Sequence, residues 1–230
     1  MYKKWINVLS KCELFRGITP EELNIVFECL KPRVRSCEKN EWVAVAGQKF
    51  TGLGIVLSGE VVVAKENAAG SRVIMAVIGP VEIFGEMAAF SGEGVWPVTV
   101  AARTACEVMF LPAGKIVGNC ARVCDSHRQL ITNMLEIVSG KALMLHRRLD
   151  YMAIKSLRGK ISSFLLEQYK RSGRVTFMMP MKRNELADFL NVSRPSLSRE
   201  MCRLRDEGVI EFHRDSVKIK ELDALRSMAE

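Results

Sequence analysis

Residues 183–214, RNELADFLNVSRPSLSREMCRLRDEGVIEFHR, read as a helix, a tight turn, a second helix and a two-stranded wing. On the first helix Leu186, Ala187 and Leu190 make an apolar stripe, and Asn191-Val192-Ser193 is a short turn with one valine to bury. On the second helix Leu197, Met201 and Leu204 stand at i, i+4 and i+7, so one face belongs to a core. Arg194, Ser198, Arg199 and Arg203 are left on or near the opposite face. Ser193 is placed to cap the second helix, and Pro195 falls in its first turn, where a missing N–H costs no hydrogen bond. A helix of this size fits the major groove of duplex DNA, with its N-terminal half toward the base edges. The plainer alternative is a helical hairpin with a solvated basic face; the agreement of spacing, cap, turn and charge favours DNA.

Charge supports the same end of the chain. The net +8 of the 230 residues is unevenly placed: residues 141–230 hold 19 Lys and Arg against 12 Asp and Glu, and residues 1–140 hold 15 against 14. Phosphate binding calls for such an excess. An apolar share of 48% allows one large or two smaller cores. No apolar run is long enough to span a bilayer, and the N-terminus lacks the long apolar segment of a signal peptide, which predicts a cytoplasmic protein. Seven cysteines, at 12, 29, 37, 106, 120, 124 and 202, are an odd number with no C-x-x-C, so a disulfide framework is not expected and most read as small buried hydrophobes.

Working outward, residues 1–125 predict a sensing domain. Residues 1–30 are mostly helical, with a start at Pro20-Glu21-Glu22-Leu23. Beyond residue 31, short β-rich runs at Trp42–Val45, Gly54–Leu57, Val61–Val63, Val73–Val77, Val98–Val100 and Val108–Leu111 alternate with glycines, the texture of a small antiparallel barrel or jelly roll. Residues 126–156 read as one long helix on which Ile131, Leu135, Val138, Ala142, Leu145, Leu149 and Met152 alternate in steps of four and three. That heptad seam predicts a parallel dimer over a single amphipathic helix packed on its own domain, since two reading heads can meet half-sites one DNA turn apart. A hinge is expected near Arg158-Gly159, and residues 157–230 form the DNA-binding domain. The fold class is α+β.

The order β-roll, long helix, winged helix-turn-helix resembles the Crp/Fnr family of bacterial transcription regulators. The likeness is carried by Leu14-Phe15-Arg16-Gly17, Leu57-Ser58-Gly59-Glu60-Val61, Ile83-Phe84-Gly85-Glu86-Met87, Val192-Ser193-Arg194 and Ser198-Arg199, in order and spacing over nearly the whole chain. It implies a homodimer that binds an inverted repeat in double-stranded DNA, works with RNA polymerase and answers to a small effector in the roll. By resemblance, Arg199 reads a guanine, Arg194 stands at a base-reading position, Arg183 contacts phosphate, and Ser193, Ser196, Ser198 and Arg203 complete the interface. Pro195 departs from the family's glutamate and cannot accept from a cytosine amino group, so the half-site should differ. Lys182 stands at the usual threonine N-cap while Glu185 keeps the acidic half of a capping box, so the first helix should start less firmly.

In the cyclic-nucleotide binders of that family a Gly-Glu pair grips the ribose and an Arg-Ser pair the phosphate. Gly85 and Glu86 match the first pair; Trp96-Pro97 stands in place of the second and cannot neutralise a phosphate. Cyclic AMP is therefore not the expected effector, whose identity stays unknown. Two pictures of the roll stay open: an apolar pocket lined by Gly85, Glu86, Met87, Trp96, Pro97, Leu145 and His146, with Met75, or a closed, self-filled core. Haem on His146 and a thiol switch at Cys120 and Cys124 are the alternative sensor chemistries. Lone histidines on long helices are more often surface residues. An iron–sulfur cluster is argued against by the wide spread of Cys12, Cys29 and Cys37.

A metal-dependent cupin-like enzyme would need clustered histidines and a carboxylate in the roll. His127, His146 and His213 all lie outside it, and neither a Gly-rich phosphate loop nor a nucleophile motif occurs, so no catalytic residue and no metal site is predicted. A module acting on a protein partner would not require Arg194, Ser198 and Arg199 together on a capped helix.

Overall fold

In a computed structural model, residues 2–66, 72–118 and 125–229 are described, and the chain divides into two units, Met1–Gly140 and Lys141–Glu230. The first unit opens with α1 (Ile6–Leu9) and α2 (Pro20–Leu30). The α2 start is a full capping box: the Thr19 hydroxyl accepts from the Glu22 N–H at 3.3 Å and the Glu22 carboxylate accepts from the Thr19 N–H at 2.8 Å. The roll comprises β1 (Arg33–Cys37), β2 (Trp42–Ala44), β3 (Leu53–Ser58), β4 (Val61–Glu66), β5 (Arg72–Ile78), β6 (Ile83–Phe84), α3 (Glu86–Phe90), β7 (Thr99–Ala102) and β8 (Cys106–Leu111), followed by α4 (Ala113–Ile116). Its strands form two four-stranded antiparallel sheets in the orders β1-β8-β3-β6 and β2-β7-β4-β5. Gly59, at φ +72°, turns the chain from one sheet to the other; a Cβ there would collide with the Ala105 carbonyl.

The two-sided burial of β3 divides the apolar residues between two cores. Leu53, Ile55 and Leu57 meet Leu14, Phe15, Leu23, Phe27 and Leu30 of the helical cap, together with Leu130 and Met134 from α5 (Asp125–Ala153). Val56 faces the other way, into the roll interior with Val61, Phe84, Trp96, Val100 and Val108. Buried Asn133 ties α5 to the cap, donating to the carbonyls of Leu14 at 3.0 Å and Arg16 at 2.8 Å. Strands β1 and β6 exceed the six expected runs. In β1 only Cys37 is buried, so its sequence RVRSC gives no apolar alternation to detect.

The second unit holds the end of α5, then α6 (Leu157–Ser172), β9 (Thr176–Met178), α7 (Arg183–Phe189), α8 (Arg194–Asp206), β10 (Ile210–His213), β11 (Ser216–Ile219) and α9 (Leu222–Ser227). Arg158 and Gly159, the expected hinge, lie inside the first turn of α6. The helix break lies at 154–156, where Ser156 caps α6 by accepting from the Gly159 N–H at 2.8 Å. Gly159 sits inside the first turn of α6, where an added Cβ would lie 2.7 Å from Ser156 Oγ and 2.9 Å from Ile154 Cγ2. The wing is three-stranded, not two: β9 adds to the β10–β11 hairpin, pairing Phe177 with Val217.

Candidate nucleic-acid interface

Helix α8 is fixed from behind and left open in front. Leu197, Met201 and Leu204 are buried with Leu186, Ala187 and Leu190 of α7, while Arg194, Pro195, Arg199 and Arg203 are exposed and Ser196 and Ser198 half-buried. The Ser193 hydroxyl accepts from the Ser196 N–H at 3.2 Å and lies 2.8 Å from Ser196 Oγ, which also accepts from the Arg199 guanidinium at 3.4 Å. Asn191 makes the turn at φ +53°, a left-handed conformation asparagine tolerates, and Val192 is half-buried. At the α7 start, the Glu185 carboxylate accepts from the Lys182 N–H at 2.7 Å. The lysine side chain has no acceptor to return the bond, so half a capping box is formed. At the other end of α7, Arg148 and Lys160 donate to the carbonyls of Asp188 at 3.3 Å and Leu190 at 3.2 Å.

Two features behind α8 escaped the sequence reading. Glu200 is buried on the core side of α8 and accepts from Arg158 of α6 at 2.7 Å; the same guanidinium makes paired bonds of 2.9 and 2.8 Å to Glu207. Glu207 and then Glu200 hold the Arg158 pKa above its ordinary value. Arg203 shares Glu200 at 3.2 Å. The detectable signal was an acid at position 200, inside the apolar spacing of α8. The second feature is Phe212 of the wing, whose ring lies 5.0 Å from the Arg183 guanidinium and 5.5 Å from that of Arg205. Arg183 is half-buried, with Nη1 enclosed and lacking a hydrogen-bond partner; burial lowers its pKa.

In the roll, Trp96 is 2% exposed, with its ring centroid 4.6 Å from Phe50 and 6.1 Å from Phe84. Gly85, at φ +81°, leads into α3, and a Cβ on it would lie 2.8 Å from the indole. Glu86 is buried, whereas Met75, Met87 and Pro97 are exposed. The residues around Trp96 do not fit a cyclic nucleotide: the indole is packed against aromatic rings, and neither Trp96 nor Pro97 offers a donor set for a phosphate. Leu145 and His146 are exposed in the second unit, and His146 lies 4.0 Å from Asp150. Of the predicted stem residues, Leu135, Leu145, Leu149 and Met152 are exposed apolar side chains and Ala142 is exposed, while Ile131 and Val138 are half-buried. Cys120 and Cys124 lie outside the described residues. Among the described residues no group of three or more His, Cys, Asp or Glu is arranged to hold a metal, and no helix is long and apolar enough to cross a membrane.

Two family models match the chain: a cyclic nucleotide-binding domain over residues 34–122 and a Crp-like helix-turn-helix domain over residues 159–228. The cyclic AMP receptor protein of Thermus thermophilus is 25% identical over 94% of this chain and 96% of its own length. The CRP-like cAMP-activated global transcriptional regulator of Mycobacterium tuberculosis is 22% identical over 96% and 98%. Among solved structures, the catabolite activator protein of Thermus thermophilus shares the fold with a TM-score of 0.54 at 22% identity, covering 94% of this chain and 98% of that one. The sensor domain of the regulator DNR from Pseudomonas aeruginosa superposes with a TM-score of 0.50 at 18% identity, over 66% of this chain and 93% of that one.

Proposed function

The chain belongs to the Crp/Fnr family of DNA-binding transcription regulators, and from that premise we propose that it works as a homodimer on an inverted-repeat operator under an effector other than a cyclic nucleotide. The observation that carries the reading is α8: a serine-capped helix, buried along Leu197, Met201 and Leu204, that presents Arg194 and Arg199 to solvent on the basic part of the chain. Arg199, with Arg194 and Ser198, reads base edges; Arg183, Ser193, Ser196 and Arg203 hold the backbone. The exposed apolar residues of α5 are the dimer seam, since side chains such as Leu135 and Leu149, each 63% exposed, gain by burial against a second copy. RNA polymerase is the expected partner on the promoter, and the cytoplasm the expected location.

Relatives are named for cyclic AMP. Against carrying that ligand over stands Trp96, which fills the space beside Gly85. Fluorescence anisotropy against inverted-repeat and random duplexes over a salt series tests the DNA claim; tight binding that weakens steeply with salt is expected. Indifference to every duplex at low ionic strength would refute it. Calorimetry with cyclic AMP should give a flat trace, and a micromolar isotherm would overturn the effector claim.

A further inference from the structure

Strands β1 and β8 bring two cysteines face to face. Cys37, the last residue of β1, is the direct register partner of Cys106, the first residue of β8. Both side chains are buried free thiols, and they are in hydrogen-bond contact with each other. Facing residues of an antiparallel pair have Cα atoms about 4.5–5.5 Å apart, within the range of about 4.4–6.8 Å that a disulfide spans, so closure requires no sliding of the strands. We propose that Cys37 and Cys106 form a cross-strand dithiol that hydrogen peroxide oxidises to an intrachain disulfide.

Strand position assigns roles. Cys37 ends an edge strand, whereas Cys106 opens β8, which is paired on both sides, so Cys37 is the sulfur that fraying exposes first. Cys37 is then the attacking sulfur: its thiolate takes one oxygen of the peroxide, the O–O bond breaks, and hydroxide leaves and is protonated to water. The Cys106 sulfur next attacks the Cys37 sulfenic acid, forming the S–S bond and releasing a second water. Two thiol hydrogens and two electrons pass to the peroxide, giving one disulfide and two waters.

Burial, the largest influence on both groups, raises both thiols, Cys106 to about 11, so the pair is protonated at neutral pH and reacts slowly from the closed sheet. Access comes from the strand position. β1 is an edge strand, and Cys37 stands at its terminus, where opening needs the fewest broken ladder bonds. Gly59 rests against Cys106, so the clasp closes beside the turn joining the two sheets.

The test uses the full-length, reduced wild-type protein. It is treated with hydrogen peroxide, alkylated in denaturant and mapped by mass spectrometry without reduction. Expected is one cross-linked pair of peptides carrying Cys37 and Cys106, lighter by two hydrogens than the reduced pair, with joint loss of alkylation at both sites and recovery after a thiol reductant. Alkylation retained at both positions while other cysteines oxidise, or either cysteine joined to a different one, overturns the proposal. Because the readout is taken on the native sequence, a poorly folding variant cannot obscure it.

Discussion

Single side chains decide both ends of this molecule. Arg199 is exposed on the first half of α8 and is steadied by the Ser196 hydroxyl, which itself meets the capping Ser193. If Arg199 makes a paired contact to a guanine, Arg199→Ala removes about 1–3 kcal/mol of preference for the operator over random duplex, read by competition anisotropy. Equal losses on both DNAs would reassign it to phosphate. At the other end, Trp96 is a core residue between Phe50 and Phe84. Trp96→Ala is expected to cost about 3–5 kcal/mol of stability in urea unfolding. A loss under about 1 kcal/mol would mean the indole occupies an open pocket, not a filled interior.

At the scale of elements, α8 is aimed from α6. Arg158 is one third exposed and binds two carboxylates, of which Glu200 is nearly enclosed. Arg158→Ala leaves the nearly enclosed Glu200 with the longer Arg203 contact alone and should lower stability by about 1–3 kcal/mol. Adding Glu200→Gln to that variant removes the under-compensated charge and should restore part of the loss in the same urea titration; a double variant no more stable than the single contradicts this role for Arg158. Beyond an acid at position 200 within the apolar spacing of α8, this was not legible in the sequence, because the partners stand 42 residues apart and only folding brings them together. The helix-turn-helix was legible because its apolar spacing, cap and turn are all local. Strands β1 and β9 were not: each buries a single residue, Cys37 or Phe177, so their placement depends on the neighbours they pair with. The glycine at 159 reads as a hinge from its freedom, yet it is there for the lack of a side chain. Whether Trp96 lined a cavity or filled one depended on Phe50 and Phe84 arriving beside it, which spacing alone does not give.

At the scale of the whole molecule, charge and the long helix set the predicted behaviour. Most of the net +8 sits in residues 141–230, so affinity for any duplex should fall steeply with salt. The exposed apolar residues of α5 are where the proposed second copy is expected. Leu149→Glu, at a site 63% exposed, leaves the monomer fold intact but should shift the protein to monomer in sedimentation velocity and weaken operator binding in parallel. A dimer that persists unchanged would put the contact elsewhere.

The Arg158 clasp has a practical consequence for anyone retargeting this regulator. Transplanting residues 194–206 into a related scaffold moves Glu200 with Arg203 but leaves behind Arg158, the nearer of its two arginines. A chimaera built that way would hold its nearly enclosed acid by Arg203 alone beneath the new reading surface. Specificity swaps are better confined to the solvent-side positions, Arg194, Ser198 and Arg199, with the acids left in their native frame.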